Sequence, residues 1–228
     1  RGGSHPAPLK AAHLVAKAGA DGITAHLRED RRHMTDADIA SLTAEINLPL
    51  NLEIAATDEM LKIALKYLPH AACIVPEKRQ ERTTEGGLDV VSGQNYLMPI
   101  IRSLNDSGIR VSLFVEADMR QIDAAKNLGA SVVEIHTGAY CNASGVLREQ
   151  ELSRIKKAAV YAAGLNIEVH AGHGLDFGTV GAIAEIPQFS ELNIGHFLIG
   201  EAIFEGLDSS IKRMRSLMDN ARATLGGE

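Results

Sequence analysis

Residues 110–137 read RVSLFVEADMRQIDAAKNLGASVVEIHT. The run 110–116 is apolar and rich in β-branched residues, and 131–137 repeats that character. Between them 118–129 spaces its apolar residues at helical intervals. Two buried-strand patterns joined by one helix make a β-α-β unit, and such a connection lays its strands parallel. Working outward, further strand-like runs stand at roughly 21–27, 48–55, 71–77, 167–172 and 191–199. Amphipathic stretches separate them, at roughly 8–19, 35–46, 57–68, 94–107, 147–165, 178–186 and 201–224. Thr35 and Thr57 stand at N-cap positions, each with acids in the turn that follows. Gly108, Gly129 and Gly164 stand where helices should end in a left-handed residue, and Gly200 opens the last helix.

Seven strands and eight helices, with the chain opening on a helix, fit a (β/α)8 TIM barrel whose first strand is missing from the N-terminus. The competing architecture is an open doubly wound sheet, but no GxGxxG follows the first strand. No Pro/Ser/Gly linker or low-complexity tract divides residues 1–228, so a single barrel domain is expected.

Composition bounds the function. A chain that is 45% hydrophobic and 23% charged is neither disordered nor fibrous. Its net charge of −6 argues against a nucleic-acid binder. No apolar run approaches the ~20 residues of a membrane span. Two cysteines, Cys73 and Cys141, are too few for a disulfide framework, which points to a reduced cytoplasmic compartment.

Parallel barrels work at the C-terminal ends of their strands. Here those ends are polar: His26 and Arg28, Asn51 and Glu53, Glu77, Glu116, Glu134 and His136, His170 and His173, and Asn193 with Gly195 and His196. Buried ionisable groups are costly unless paired or functional. Glu53, between Leu52 and Ile54, shares a strand face with Asn51, so its carboxyl should be desolvated and hard to ionise. A salt bridge to a neighbouring strand is the structural alternative. Glu77 and Glu116 read as such layer-filling partners, outside the chemistry. His170, His173, Glu134 and His136 contain ligand types, but no HExxH or DxH signature accompanies them and no metal is expected. Cys141 reads as a plain loop cysteine.

Anion-binding features are better developed. Arg28, Arg31, Arg32 and His33 crowd one loop, and Thr83-Thr84-Glu85-Gly86-Gly87 offers hydroxyls and backbone amides in another, with 78–87 long enough to be a lid. Gly172-His173-Gly174 and Gly195-His196 follow the last two strands, where barrels commonly hold phosphate. Two such sites in one mouth suggest two phosphorylated small-molecule substrates.

The segments AGADGITAHLREDRRH (18–33), NLE (51–53), VPEKRQERTTEGGL (75–88), VSLF (111–114), EIHTG (134–138), AGHGL (171–175) and ELNIGH (191–196) together resemble the pyridoxine 5′-phosphate synthase family, in order and nearly end to end. The resemblance implies a TIM-barrel transferase of vitamin B6 biosynthesis. It condenses 3-amino-2-oxopropyl phosphate with 1-deoxy-D-xylulose 5-phosphate, without a cofactor. It further implies a cytoplasmic homo-oligomer, an octamer in the family. His26 and Glu53 would accept protons, His173 would donate one, and Glu134 would stabilise a transition state. Arg28, His33 and Thr83 would hold the deoxyxylulose phosphate, and Arg1, Gly174, Gly195 and His196 the amino-ketone phosphate. The family's first strand, with an Asn and an Asp-His pair, has no counterpart before Arg1 in this sequence. Two other readings remain: an isomerase or lyase of the phosphate-binding barrels, and a degenerate barrel that binds a B6 phosphate without turnover.

Overall fold

The computed structural model describes residues 5–77 and 86–224. The chain runs α1 (Pro8–Ala18), β1 (Ile23–His26), α2 (Asp36–Glu45), β2 (Leu50–Ile54), α3 (Asp58–Tyr67), β3 (Ala71–Ile74) and α4 (Val90–Asp106). It continues β4 (Arg110–Val115), α5 (Met119–Asn127), β5 (Val132–His136), α6 (Gly138–Asn142), α7 (Gly145–Gly164) and β6 (Glu168–Gly172). The last elements are α8 (Val180–Ala184), β7 (Phe189–Asn193), α9 (His196–Glu205) and α10 (Leu207–Ala223).

The seven strands of the described residues all lie parallel in one sheet, in chain order β1-β2-β3-β4-β5-β6-β7. The sheet is curled, because inner-face side chains from strands that are not neighbours meet. Asn193 of β7 donates from Nδ2 to Glu134 Oε2 of β5 at 3.0 Å. Thr24 of β1 donates from Oγ1 to Asn193 Oδ1 at 2.6 Å, which brings the two end strands together. Right-handed strand twist and a shell of crossover helices drive that closure. The expected barrel architecture is what forms.

Alternation sorts the strand residues. Leu52, Ile54, Ile74, Leu113 and Ile135 face outward and pack with Met60, Leu97, Ile101, Ile122 and Ile155 in the main core. The inner face holds a small separate cluster of Cys73, Val75 and Phe114. Thr35 caps α2 through a reciprocal box with Asp38, and Thr57 caps α3 by accepting from Met60 N–H.

Several boundaries differ from the sequence reading. The run 191–199 is not one strand: β7 stops at Asn193, and Phe197 and Leu198 belong to α9, packing in a second cluster with Val180 and Met214. A short apolar run suits a strand and a buried helix face equally, and Gly195 decides between them by opening the helix. Gly200 therefore lies inside α9, and the expected single helix 201–224 breaks at Gly206, whose φ is +82°. The short α6 forms where the sequence predicts a loop. Ten helices, rather than the expected eight, follow among the described residues. Helix α4 begins at Val90, capped by Asp89, earlier than the β-branched Val90-Val91 and Gly93 suggested. Gly108 and Gly129 take the left-handed conformation, but after α7 Asn166 adopts it (φ +55°) in place of Gly164.

Candidate active site

The strand ends build the site by register. His26 closes β1 and pairs directly with Glu53 of β2. Both side chains fall on the inner face, and His26 Nδ1 lies 3.7 Å from Glu53 Oε2. Burial pushes the Glu53 carboxyl up to about 7. Burial, with the nearby Arg28 cation, pushes His26 down to about 4. The usual order of these two groups is inverted: near neutrality the carboxyl is the group that titrates, while the imidazole is a free base. The salt-bridge alternative for Glu53 finds no Arg or Lys partner among the described residues.

Glu134 lies deeper, 2% exposed. Desolvation drives its pKa well above the carboxylate range, and the Glu53 charge adds to the effect. It accepts from Asn193, and the Cys73 thiol approaches its Oε2 at 3.7 Å. Gly172 leaves the space this carboxyl occupies, since a Cβ there would overlap Glu134 Oε1. Cys73 itself stays a thiol, raised by burial and by the two carboxylates.

His173 follows β6 at φ +78°, with Gly174 at +85°. A left-handed backbone at a non-glycine residue needs support. Thr137, fully buried at the end of β5, supplies it: its hydroxyl lies 2.7 Å from both the Gly172 and His173 carbonyls. The His173 ring stands edge-on to His136, with centroids 4.9 Å apart. Burial, then the neighbouring His136 and His196, lower its pKa. A Cβ at Gly174 would press on Cys141. Cys141 lies in α6 behind this turn, its pKa raised by burial, and so remains an un-ionised thiol.

Arg28 extends past β1, only 12% exposed, with Nε 3.3 Å from Glu77 Oε1. Glu77 also accepts from Glu29 N–H at 3.0 Å, and its Oε2 lies 3.7 Å from His26 Nε2. His26 Nε2, Arg28 Nε and Glu77 Oε2 are buried yet lack hydrogen-bond partners among the described residues. Polar atoms left in that state mark a place where a ligand or water belongs. His33 is exposed in the loop before α2. Gly195 and His196 open α9, whose free backbone amides face anions favourably. Arg1, Thr83 and nearly all of the expected lid lie outside the described residues.

Thus His26, Glu53, Glu134, His173 and Gly174 line the C-terminal mouth, with Arg28, Gly195 and His196 in the segments that follow its strands. The structure draws His170 away from His173, since it lies lower in the barrel with Arg110, Glu168 and Glu191. Sequence reasoning set aside two groups that belong near the mouth. Glu77 is an ion-pair partner, as expected, but of His26 and Arg28. Glu116 pairs with Arg154 and also with His136. Asn193 counts among the polar strand ends in the sequence without an assigned role, and Thr137 has none assigned either. Their only sequence signal is a polar residue at an inward position of a strand end, and what each one meets depends on the curl.

Comparison with known proteins identifies the family to which the chain is similar. The family model described as pyridoxal phosphate biosynthesis protein PdxJ matches residues 1–220. The pyridoxine 5′-phosphate synthase of Rhodospirillum rubrum is 66% identical over 222 residues, covering 97% of this chain and 89% of that protein. The enzyme of the same name from Roseobacter denitrificans is 58% identical over 227 residues, covering 98% and 91%. Among solved structures, phosphoribosyl anthranilate isomerase from Thermus thermophilus superposes with a TM-score of 0.62 at 10% identity, covering 94% of this chain and 95% of that one. That likeness concerns the barrel alone.

Proposed function

The chain belongs to the PdxJ family of pyridoxine 5′-phosphate synthases, and we propose that the groups gathered at its strand ends carry out that family's condensation. The enzyme joins 3-amino-2-oxopropyl phosphate to 1-deoxy-D-xylulose 5-phosphate, giving pyridoxine 5′-phosphate, inorganic phosphate and water. Amine addition to a ketone, loss of water and phosphate, and ring closure require repeated proton transfers at several atoms. They are served by groups that change protonation near neutrality.

The inverted His26–Glu53 pair is the observation that carries the assignment of roles. A neutral His26 accepts a proton from substrate, and Glu53, with its carboxyl at about 7, passes protons in either direction. His173, its pKa depressed, releases a proton readily once it has gained one, which suits a donor. Glu134 stays protonated and donates a hydrogen bond to negative charge developing on an oxygen. Arg28 and His33, with Thr83, anchor one phosphate. Gly174, Gly195 and His196, with Arg1, anchor the other. Binding at these remote groups fixes the reacting atoms in position.

The assembly and compartment are part of the same reading. Helix α9 leaves Ile199, Ile203 and Phe204 58%, 80% and 83% exposed, an apolar face suited to covering by a further copy of the chain. We read the protein as a single-domain cytoplasmic homo-oligomer; no described helix is long and apolar enough to cross a membrane.

The test is phosphate release from the two substrates together and from each alone, with the absorbance of pyridoxine 5′-phosphate followed in parallel. Release and product only with both present is the expected result. Release from either substrate alone, with no pyridoxine 5′-phosphate formed, would contradict the proposal.

A further inference from the structure

We propose that Glu116 and His136 form a positioning pair that holds and tunes His173, extending the proton-transfer machinery beyond the groups named above. The proposal rests on the synthase reading in so far as His173 moves a proton there.

Glu116 follows β4, and His136 ends β5. Glu116 Oε1 lies 2.7 Å from His136 Nδ1. That bond, outweighing desolvation, holds the Glu116 carboxyl below its usual range, so the carboxylate is ionised and Nδ1 carries the hydrogen. The hydrogen on Nδ1 leaves Nε2 as the ring nitrogen turned away from Glu116. Glu116 cannot swing away: Gly87 N–H donates to the same oxygen at 3.1 Å, and Arg154 of α7 reaches Oε2 at 3.4 Å. Gly87 is itself confined, because any Cβ there would overlap the Glu116 backbone.

His136 is 5% exposed, and its Nε2 is buried without a partner among the described residues. Its ring is wedged between Phe114, at a centroid distance of 5.1 Å, and His173 at 4.9 Å. A Cβ on Gly138 would strike both imidazoles, so that glycine lets them meet. The adjacent Thr137 holds the His173 carbonyl. The charged and titratable groups facing this pair of rings are Glu116, with Arg154 behind it, and His196 at the start of α9. The Cys141 thiol lies against the His173 backbone, and Glu134 occupies the same face of β5 one layer lower. An imidazole locked by a carboxylate thus packs edge-on against the proton-transfer histidine. The pair orients the His173 ring, because this imidazole cannot rotate while Glu116 holds its Nδ1.

The experiment is ring-¹⁵N NMR of the histidines across pH, with turnover measured alongside, in the parent chain, His136→Phe and Glu116→Gln. In the parent, His136 should be the Nδ1–H tautomer; an Nε2–H tautomer overturns the proposal. His136→Phe keeps the packing against Phe114 but drops both nitrogens. It should shift the His173 midpoint by ~0.5–1 pH unit and lower kcat ~10-fold, with either KM within ~3-fold. A folded His136→Phe with an unmoved midpoint and parental kcat also overturns it. Glu116→Gln, at a partly exposed position, should shift the tautomer and lower kcat, with Glu116→Asp restoring part of both; an unchanged tautomer and kcat count against the pairing. A parent chain that turns nothing over defeats the synthase reading instead, while the midpoints still decide the coupling.

Discussion

The Glu53 carboxyl is held where it is hard to ionise, and that condition costs stability as well as supplying chemistry. Its pKa rises from an ordinary 4.5 to about 7 on folding. A carboxyl raised in this way adds stability below 4.5, and that contribution disappears as pH climbs through 7. Glu53→Gln should therefore be more stable than the parent at about pH 8, by at most ~3 kcal/mol, with the advantage vanishing near pH 4.5. Thermal unfolding at the two pH values measures it, and a gain of the same size at both would show that charge is not the cause. The same variant should lose turnover ~10²-fold or more if the proton roles are right. His26 slopes the other way. Its depressed pKa makes folding less favourable as pH falls from 6.5 toward 4, so the parent's own pH profile partly conceals both effects. At the phosphate end, Arg28→Ala should raise the KM of one substrate at least ~10-fold while largely sparing kcat. Unchanged KM values for both would take Arg28 out of the site.

Strand β6 shows how an element can be fitted to the side chains of its neighbours. It lies between β5 and β7, and its last residue, Gly172, sits against the Glu134 carboxyl and the Asn193 carbonyl. The Asn193 carbonyl cannot recede easily, because β7 is laddered to β6, whereas the Glu134 carboxyl ends a side chain and would have to turn aside. Gly172→Ala should cost ~1–3 kcal/mol through overpacking and should also reduce kcat by tilting Glu134 off Asn193. Gly181→Ala is the control: in α8, with nothing within 4 Å of the added methyl, it should be neutral or slightly stabilising. Equal losses from both would mean that backbone freedom, rather than the fit around Glu134, sets the requirement for glycine.

At the scale of the whole molecule, the curl of the sheet turns seven separate strand ends into one mouth. It also places α9 with its N-terminus beside that mouth and its apolar residues outward. Replacing Ile203 and Phe204 together by Glu should shift the protein to a smaller species in size-exclusion chromatography with light scattering, leaving the circular dichroism intact. An unchanged mass would remove α9 from any interface between copies.

The parallel β/α order, the caps at Thr35 and Thr57 and the inward placement of Glu53 were legible in the sequence alone. Each depends on local periodicity, side-chain capping or alternation within a few residues. The chemistry-bearing strand ends were legible for the same reason, since a polar residue closing an apolar run is a local signal. Tertiary structure alone decided which of those groups meet. Glu77 joined His26, Glu116 joined His136, and Asn193 bridged Thr24 to Glu134, because these contacts cross strands that the curl brings together. It likewise decided that 196–199 is helix, since an apolar run of that length satisfies either periodicity until the surrounding core selects one. The pKa inversion between His26 and Glu53 belongs to the same class: it arises from burial and neighbouring charge, and neither exists before the barrel closes.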